Sequence, residues 1–236
     1  MLSAHKEAAL AIAGVFLFLP QIVLGYLAGN IDASGVQTYN QVMTVYEQWF
    51  TANGWFLILG ILVSMIGSIA LYVVFLRSNQ TIGEALITAL KLFIPFLLLG
   101  ILTGILVLIG FFLLVIPGIY LAIKFSLGGA VIAAENIANP IEAMKRSWRA
   151  TKGNSLRIFF FLLIVFIVGL VALVAATAVI GIPIGLLLPQ EAALFANNIV
   201  SSAASAVFSV VLAAVYAAIY RQLTSSFDQR VLEETF

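Results

Sequence analysis

Residues 139–154 read NPIEAMKRSWRATKGN, a polar island between two long apolar runs. The island holds Lys145, Arg146, Arg149 and Lys152, four of the eleven Lys and Arg residues in the chain. Asn139 is suited to cap a helix N-terminus, and Pro140 fits the first helical position. Glu142 follows three residues after the cap, which completes the pattern of a capping box opened by proline. Gly153 predicts the stop, with basic residues in the last turn facing the negative end of the helix dipole. Ile141, Met144, Trp148 and Thr151 share one face at helical spacing, while Lys145, Arg149 and Lys152 share another. This pattern predicts a helix over about 140–152 lying in a membrane interface. Trp148 would dip among acyl chains and the basic side would face phosphates.

The composition around the island requires that membrane. Apolar residues make up 63% of the 236 positions and charged residues 9%, with a mean hydropathy of +1.17. Soluble domains carry about 25% charged residues, so these few charges cannot cover a water-facing surface. The fold class is therefore an all-α polytopic membrane protein. A span needs about 20 mostly apolar residues, and six segments qualify: about 8–28, 54–76, 93–115, 118–134, 157–180 and 198–220. They form a single membrane domain over the whole chain. The first is too long for a signal-peptide core of about 7–15 residues, and Pro20 should break or bend it. The fourth follows Val115-Ile116-Pro117-Gly118, where Pro-Gly predicts a tight turn.

Charge then orients the spans. Linker 29–53 holds Asp32 and Glu47 but no Lys or Arg, the turn at 116–118 holds no charge, and linker 181–197 holds only Glu191. Lys6, Arg77, Lys91, the 145–157 cluster, Arg221 and Arg230 fall in the other connections. The positive-inside rule therefore puts both termini on the cytoplasmic side, with Lys124 alone away from it.

Two further stretches carry helical signals. TIGEAL (81–86) matches NPIEAM (139–144) in cap and glutamate. It predicts a second cytoplasmic interfacial helix over about 82–92 and a parallel repeat of about 58 residues. In the second linker Val36, Tyr39, Met43, Tyr46 and Phe50 recur at spacings of three and four, with Trp49 beside them. That face reads either as a short helix on the outer leaflet or as an extension of the second span with an aromatic belt.

Residues 115–154 carry Pro117-Gly118-Ile119-Tyr120, Lys124, Glu135, Ala143, Arg146-Ser147-Trp148 and Lys152-Gly153. In these elements the stretch resembles the glycerophosphoryl diester phosphodiesterase membrane-domain family and the related YciC-like inner-membrane proteins. The resemblance implies a multi-pass protein of the bacterial inner membrane. It does not imply phosphodiester cleavage, because in fused members that chemistry belongs to a separate soluble domain with metal-binding carboxylates and paired histidines.

The residue inventory excludes much. There is no cysteine and His5 is the only histidine, which removes thiol catalysis and the usual zinc, haem and Ser-His schemes. Glu84 and Glu142 are accounted for as helix starts, and Glu135 has Lys145, Arg146 or Arg149 as possible partners. No catalytic residue, metal site, cofactor or nucleic-acid surface is expected. The residues expected to meet lipid or anion are Lys124, Lys145, Arg146, Trp148, Arg149 and Lys152. Lys124 would lie about 10 Å below the outer turn at about 1.5 Å per residue. There a charge is costly and either snorkels, caps helix-end carbonyls or contacts a ligand phosphate. Gly100 and Gly104, and Ser201, Ser205, Ser209, Ala213 and Ala217, form small-residue ridges that predict close helix packing. The functional expectation is a non-enzymatic scaffold or accessory subunit that binds anionic lipid headgroups, with a protein partner or second copy possible. The alternative is a small permease for a lipid-like solute, with Gln21, Thr103, Ser126 and Lys124 near its path.

Overall fold

Helices supply every regular element among the described residues of the computed structural model, which are 2–29, 38–77 and 80–233. Asp32 and Val36 of the second linker lie outside that set, as do the side chains of His5 and Arg230. In chain order the helices are α1 (Leu2–Ala13), α2 (Leu19–Gly29), α3 (Tyr39–Leu76), α4 (Ile82–Leu113), α5 (Val115–Phe125), α6 (Gly128–Glu135), α7 (Pro140–Ala150), α8 (Ser155–Leu187) and α9 (Gln190–Glu233). Six stretches are long and apolar enough to cross a membrane: Lys6–Gly29, Tyr39–Leu76, Ile82–Leu113, Val115–Glu135, Ser155–Leu187 and Gln190–Ser225. The protein is an all-α polytopic membrane protein.

The expected irregularity in the first span is a π-helical turn, Gly14–Phe18, joining α1 to α2. Pro20 lacks an N–H and its ring crowds the carbonyl four residues earlier. A widened turn just before it accommodates both defects. The second linker is settled by continuity. From Tyr39 onward it is the start of α3, capped by a reciprocal Thr38–Gln41 box. The Trp49 indole N–H donates to Leu27 O at 2.8 Å, which ties this extension to α2. Tyr39, Met43, Tyr46 and Phe50 all face outward.

Three boundaries differ from the sequence reading. Residues 82–92 form no separate interfacial helix, because α4 runs unbroken into the third span. Ala85 and Ala89 in this stretch are fully buried against the bundle, so packing holds it as part of the span. The Thr81–Glu84 box does form, with Thr81 N–H donating to Glu84 Oε2 at 2.9 Å. In the matching NPIEAM stretch, Asn139 Oδ1 accepts from Ile141 N–H at 2.9 Å, but Glu142 turns to Arg146 Nε at 3.0 Å. The box there is half made. The two stretches share a cap but open helices of 32 and 11 residues, so the repeat does not extend to the architecture.

The third difference is the turn before the fourth span. It falls at Leu114, a single extended residue with φ −164°, not at Pro117-Gly118. Pro117 sits in the first turn of α5, where an N–H would have no helical partner. Gly118 serves packing: a Cβ built on Gly110 of α4 would lie 2.9 Å from the Gly118 Cα. Glycine at both positions lets two backbones touch. The fourth span then breaks at Ser126-Leu127 and resumes as α6.

The main core joins Ile69, Ala70, Leu71, Val73, Val74 and Phe75 of α3 with Ala85, Ala89 and Leu92 of α4, Ala130–Ala133 of α6, Ala143 of α7 and Ala206, Val210, Ala213, Ala214 and Ala217 of α9. Small side chains dominate it, as expected where lipid removes the hydrophobic drive and close packing must hold helices together. Helix α8 is peripheral, and its one buried residue is Ile158.

Candidate functional site

Helices α6 and α7 form a hairpin. Asn136 turns the chain with a left-handed φ of 57°, Asn139 caps α7, and Gly153 ends the following turn with φ +81°. The buried face of α7 is Ala143, Met144 and Ser147, with Thr151 just beyond its end. Ser147 is fully buried, and its hydroxyl donates to Lys124 O at 2.7 Å. That carbonyl lies in the last turn of α5, where helical acceptors lose their partners. The bond holds α7 on the broken fourth span.

The outer face of α7 and the neighbouring helices enclose a groove of about 510 Å³. Leu102, Ile105 and Leu106 of α4, Phe125 of α5, and Ile141 and Met144 of α7 give it apolar walls. Trp148, Lys145 and Arg149 also line it, and the two basic side chains are exposed. Trp148 packs edge-on to Tyr120 at 5.8 Å and tilted on Phe125 at 5.6 Å. Its body thus joins α7 to α5 while its edge faces the groove.

The sequence-derived basic residues divide here. Lys145 and Arg149 share the groove with Trp148. Lys152 is exposed beyond the end of α7 and outside this lining. Arg146 points elsewhere: it pairs with Glu142 and with Glu135 of α6, and the second Glu135 oxygen accepts from Tyr220 of α9 at 2.7 Å. Arg146 is therefore part of a three-helix tie, and its charge is matched by two carboxylates. Arg77 and Arg221 are also structural. Arg77 Nε donates to Ala133 O at 2.8 Å, and Arg221 Nη2 donates to Phe75 O at 2.7 Å. Each covers a carbonyl near a helix C-terminus, where cations are favoured.

Lys124 is not near the outer turn in isolation. It sits in the last turn of α5, 3% exposed, with its ammonium 5.4 Å from the Tyr120 ring centroid and 5.2 Å from that of Trp148. Among the described residues no carbonyl accepts from the ammonium, which lies against the two rings. Tyr120 stands four residues before Lys124 on α5, but sequence reasoning missed the contact with Trp148, which joins residues 24 apart through a helical hairpin.

The packing ridges also shift. A Cβ on Gly100 or Gly104 would meet nothing within 4 Å, so that GxxxG faces outward. Close approaches occur instead at Gly110, Gly118, Gly128 and Gly129. In α9 the hydroxyls of Ser201 and Ser209 bond within their own helix. In the first half of α9 the buried stripe runs one residue over, through Ser202, Ala206 and Val210, while Ala213 and Ala217, on the register of the serines, are buried farther along. Ser205 is half-buried beside it. Thr103 and Ser126 also bond carbonyls of their own helices.

Two other grooves are present. One, of about 530 Å³ between α1 and α9, has Lys6 at its edge. The other, of about 880 Å³ between α8 and α9, is lined by apolar residues alone. Among the described residues no group of three or more His, Cys, Asp or Glu is placed to hold a metal ion. Comparison with curated proteins and with solved structures finds no match. The chain belongs to the family described as Domain of unknown function (DUF7847), which matches residues 15–223.

Proposed function

We propose that the protein is a non-enzymatic membrane scaffold or accessory subunit that holds an anionic lipid in the α7 groove. One observation carries this reading: apolar walls from three helices share one groove with the exposed basic residues Lys145 and Arg149. Acyl chains fit the walls, and a phosphate fits the cations. The attraction of anionic headgroups is worth about 1 kcal/mol per basic residue near a membrane surface. The likeness of residues 115–154 to the glycerophosphoryl diester phosphodiesterase membrane domain and YciC-like proteins supports a lipid-facing role without catalysis. It also supports a bacterial inner-membrane location. A protein partner or second copy would add to the lipid role and does not replace it.

The test is titration of anionic lipid into protein in mild detergent, read by native mass spectrometry. Lys145→Gln with Arg149→Gln should weaken binding by about 2 kcal/mol, roughly 30-fold. The loss should shrink as salt rises, because exposed charges are screened over about 8–10 Å. Arg146→Gln should leave lipid affinity within about twofold, since its charge is already paired. Equal losses from all three positions would reject the groove in favour of a diffuse basic surface.

The distribution of Lys and Arg supports cytoplasmic termini. Reporter fusions after Asn154 should then report inside, and fusions after Gln190 outside. A cytoplasmic Gln190 would overturn the orientation.

A further inference from the structure

We propose that the ammonium of Lys124 is the seat for the headgroup of a phosphate-monoester lipid, with Trp148 as its movable cover. This rests on the lipid reading of the α7 groove and names the class of lipid. A buried charge needs a partner, yet no carboxylate or hydrogen-bond acceptor meets the Lys124 ammonium among the described residues. Its recorded contacts are the faces of Tyr120 and Trp148. Ring faces attract a cation, but they neutralise no charge.

The cover is thin. Trp148 is 36% exposed and Tyr120 45%, so surface aromatics screen the ammonium and no sealed core does. Trp148 also belongs to the groove lining, which makes it the side chain common to the groove and to Lys124. On α7 it stands three residues after Lys145 and one before Arg149. A phosphate entering the groove therefore meets two exposed cations, and rotation of one ring brings it to a third.

Two basic residues in the groove lining and a third behind Trp148 suit a monoester. Such a phosphate carries about −1.5 to −2 charges at neutral pH and three free oxygens, whereas a diester carries one charge. A diester also brings a second substituent, which must pass Tyr120 and Trp148 to reach a residue that is 3% exposed. The apolar walls commit the rest of the ligand to acyl chains and exclude free phosphate as the natural occupant.

The experiment compares short-chain phosphatidate, phosphatidylglycerol and phosphatidylcholine, titrated separately into the full chain in mild detergent and read by native mass spectrometry. The wild type should bind phosphatidate roughly tenfold more tightly than phosphatidylglycerol, the worth of one charge-assisted contact. Lys124→Met should erase that preference while both anionic lipids still exceed phosphatidylcholine. Trp148→Phe, which keeps a ring but trims the cover, should retain it. Equal wild-type affinity for the two anionic lipids, or a preference that survives Lys124→Met, would overturn the proposal and leave the groove reading intact. Anionic lipids that bind no better than phosphatidylcholine would sink the groove reading itself. Competition by inorganic phosphate, lost in Lys124→Met, would make the occupant a soluble anion and overturn the lipid assignment.

Discussion

Gly110→Val should cost the protein about 3 kcal/mol or more, seen as a large fall in the thermal midpoint in detergent and a loss of monodisperse protein. The obstacle to any side chain at Gly110 is the Gly118 backbone, with Cα at 2.9 Å and N at 3.0 Å from an ideal Cβ. Backbone cannot rotate away, so α4 and α5 must separate. Over-packing of this kind costs about 1–3 kcal/mol, and more where relaxation is blocked. The single extended residue Leu114 ties the two helices together, leaving no slack to absorb the shift. Gly118→Ala makes the contrast. A Cβ there would meet the Phe111 ring at 2.5 Å, but that ring is half exposed and free to swing outward. Gly118→Ala should therefore cost less than Gly110→Ala. Gly100→Val and Gly104→Val should be nearly neutral to packing, because both positions face open space. If these outward glycines proved the more sensitive pair, the assignment of the α4 packing face would be wrong.

The second large effect is expected at Ser147. Ser147→Leu puts an isobutyl group into a fully buried site and removes the donor to Lys124 O. Over-packing of about 1–3 kcal/mol and a lost hydrogen bond of about 1 kcal/mol together should lift α7 from α5. Stability and lipid affinity should then fall together, since the groove exists only while α7 is seated. Ser147→Ala removes the bond but keeps the space. It should lower stability by about 1 kcal/mol and leave lipid affinity close to wild type. Normal lipid binding in folded Ser147→Leu protein would mean that the cations of α7 act without the groove.

Glu135 explains why Arg146 could not be assigned from spacing alone. On α7, Arg146 stands between Lys145 and Ser147, and its i−4 partner Glu142 was visible in the sequence. Glu135 was visible only as one of several possible partners, and Tyr220 not at all, because it arrives from α9, 85 residues away. The positive-inside pattern counts a basic residue wherever it points. It therefore treated Arg77, Arg146 and Arg221 as equivalent to Lys145 and Arg149, although the first three are spent on carbonyls and carboxylates.

Hydropathy and local capping determined the six spans, the all-α class, the start of α7 at Asn139 and its end near Gly153. These features depend on residues close in sequence, and packing revised only boundaries, as where α4 takes in residues 82–92. Packing decided the rest. The choice between Gly100-Gly104 and Gly110 as the close-approach face of α4 depends on which side of α4 receives α5, and the Gly110–Gly118 contact joins two helices, so no spacing within one helix reveals it. In α9 the serine half of the ridge gave way by one residue for the same reason, while Ala213 and Ala217 kept the predicted register. The burial of Lys124 depended on a hairpin returning Ser147 and Trp148 to the end of α5, a contact with no local signature. A periodic pattern states that a face exists, and only the position of the neighbouring helix states which face is used.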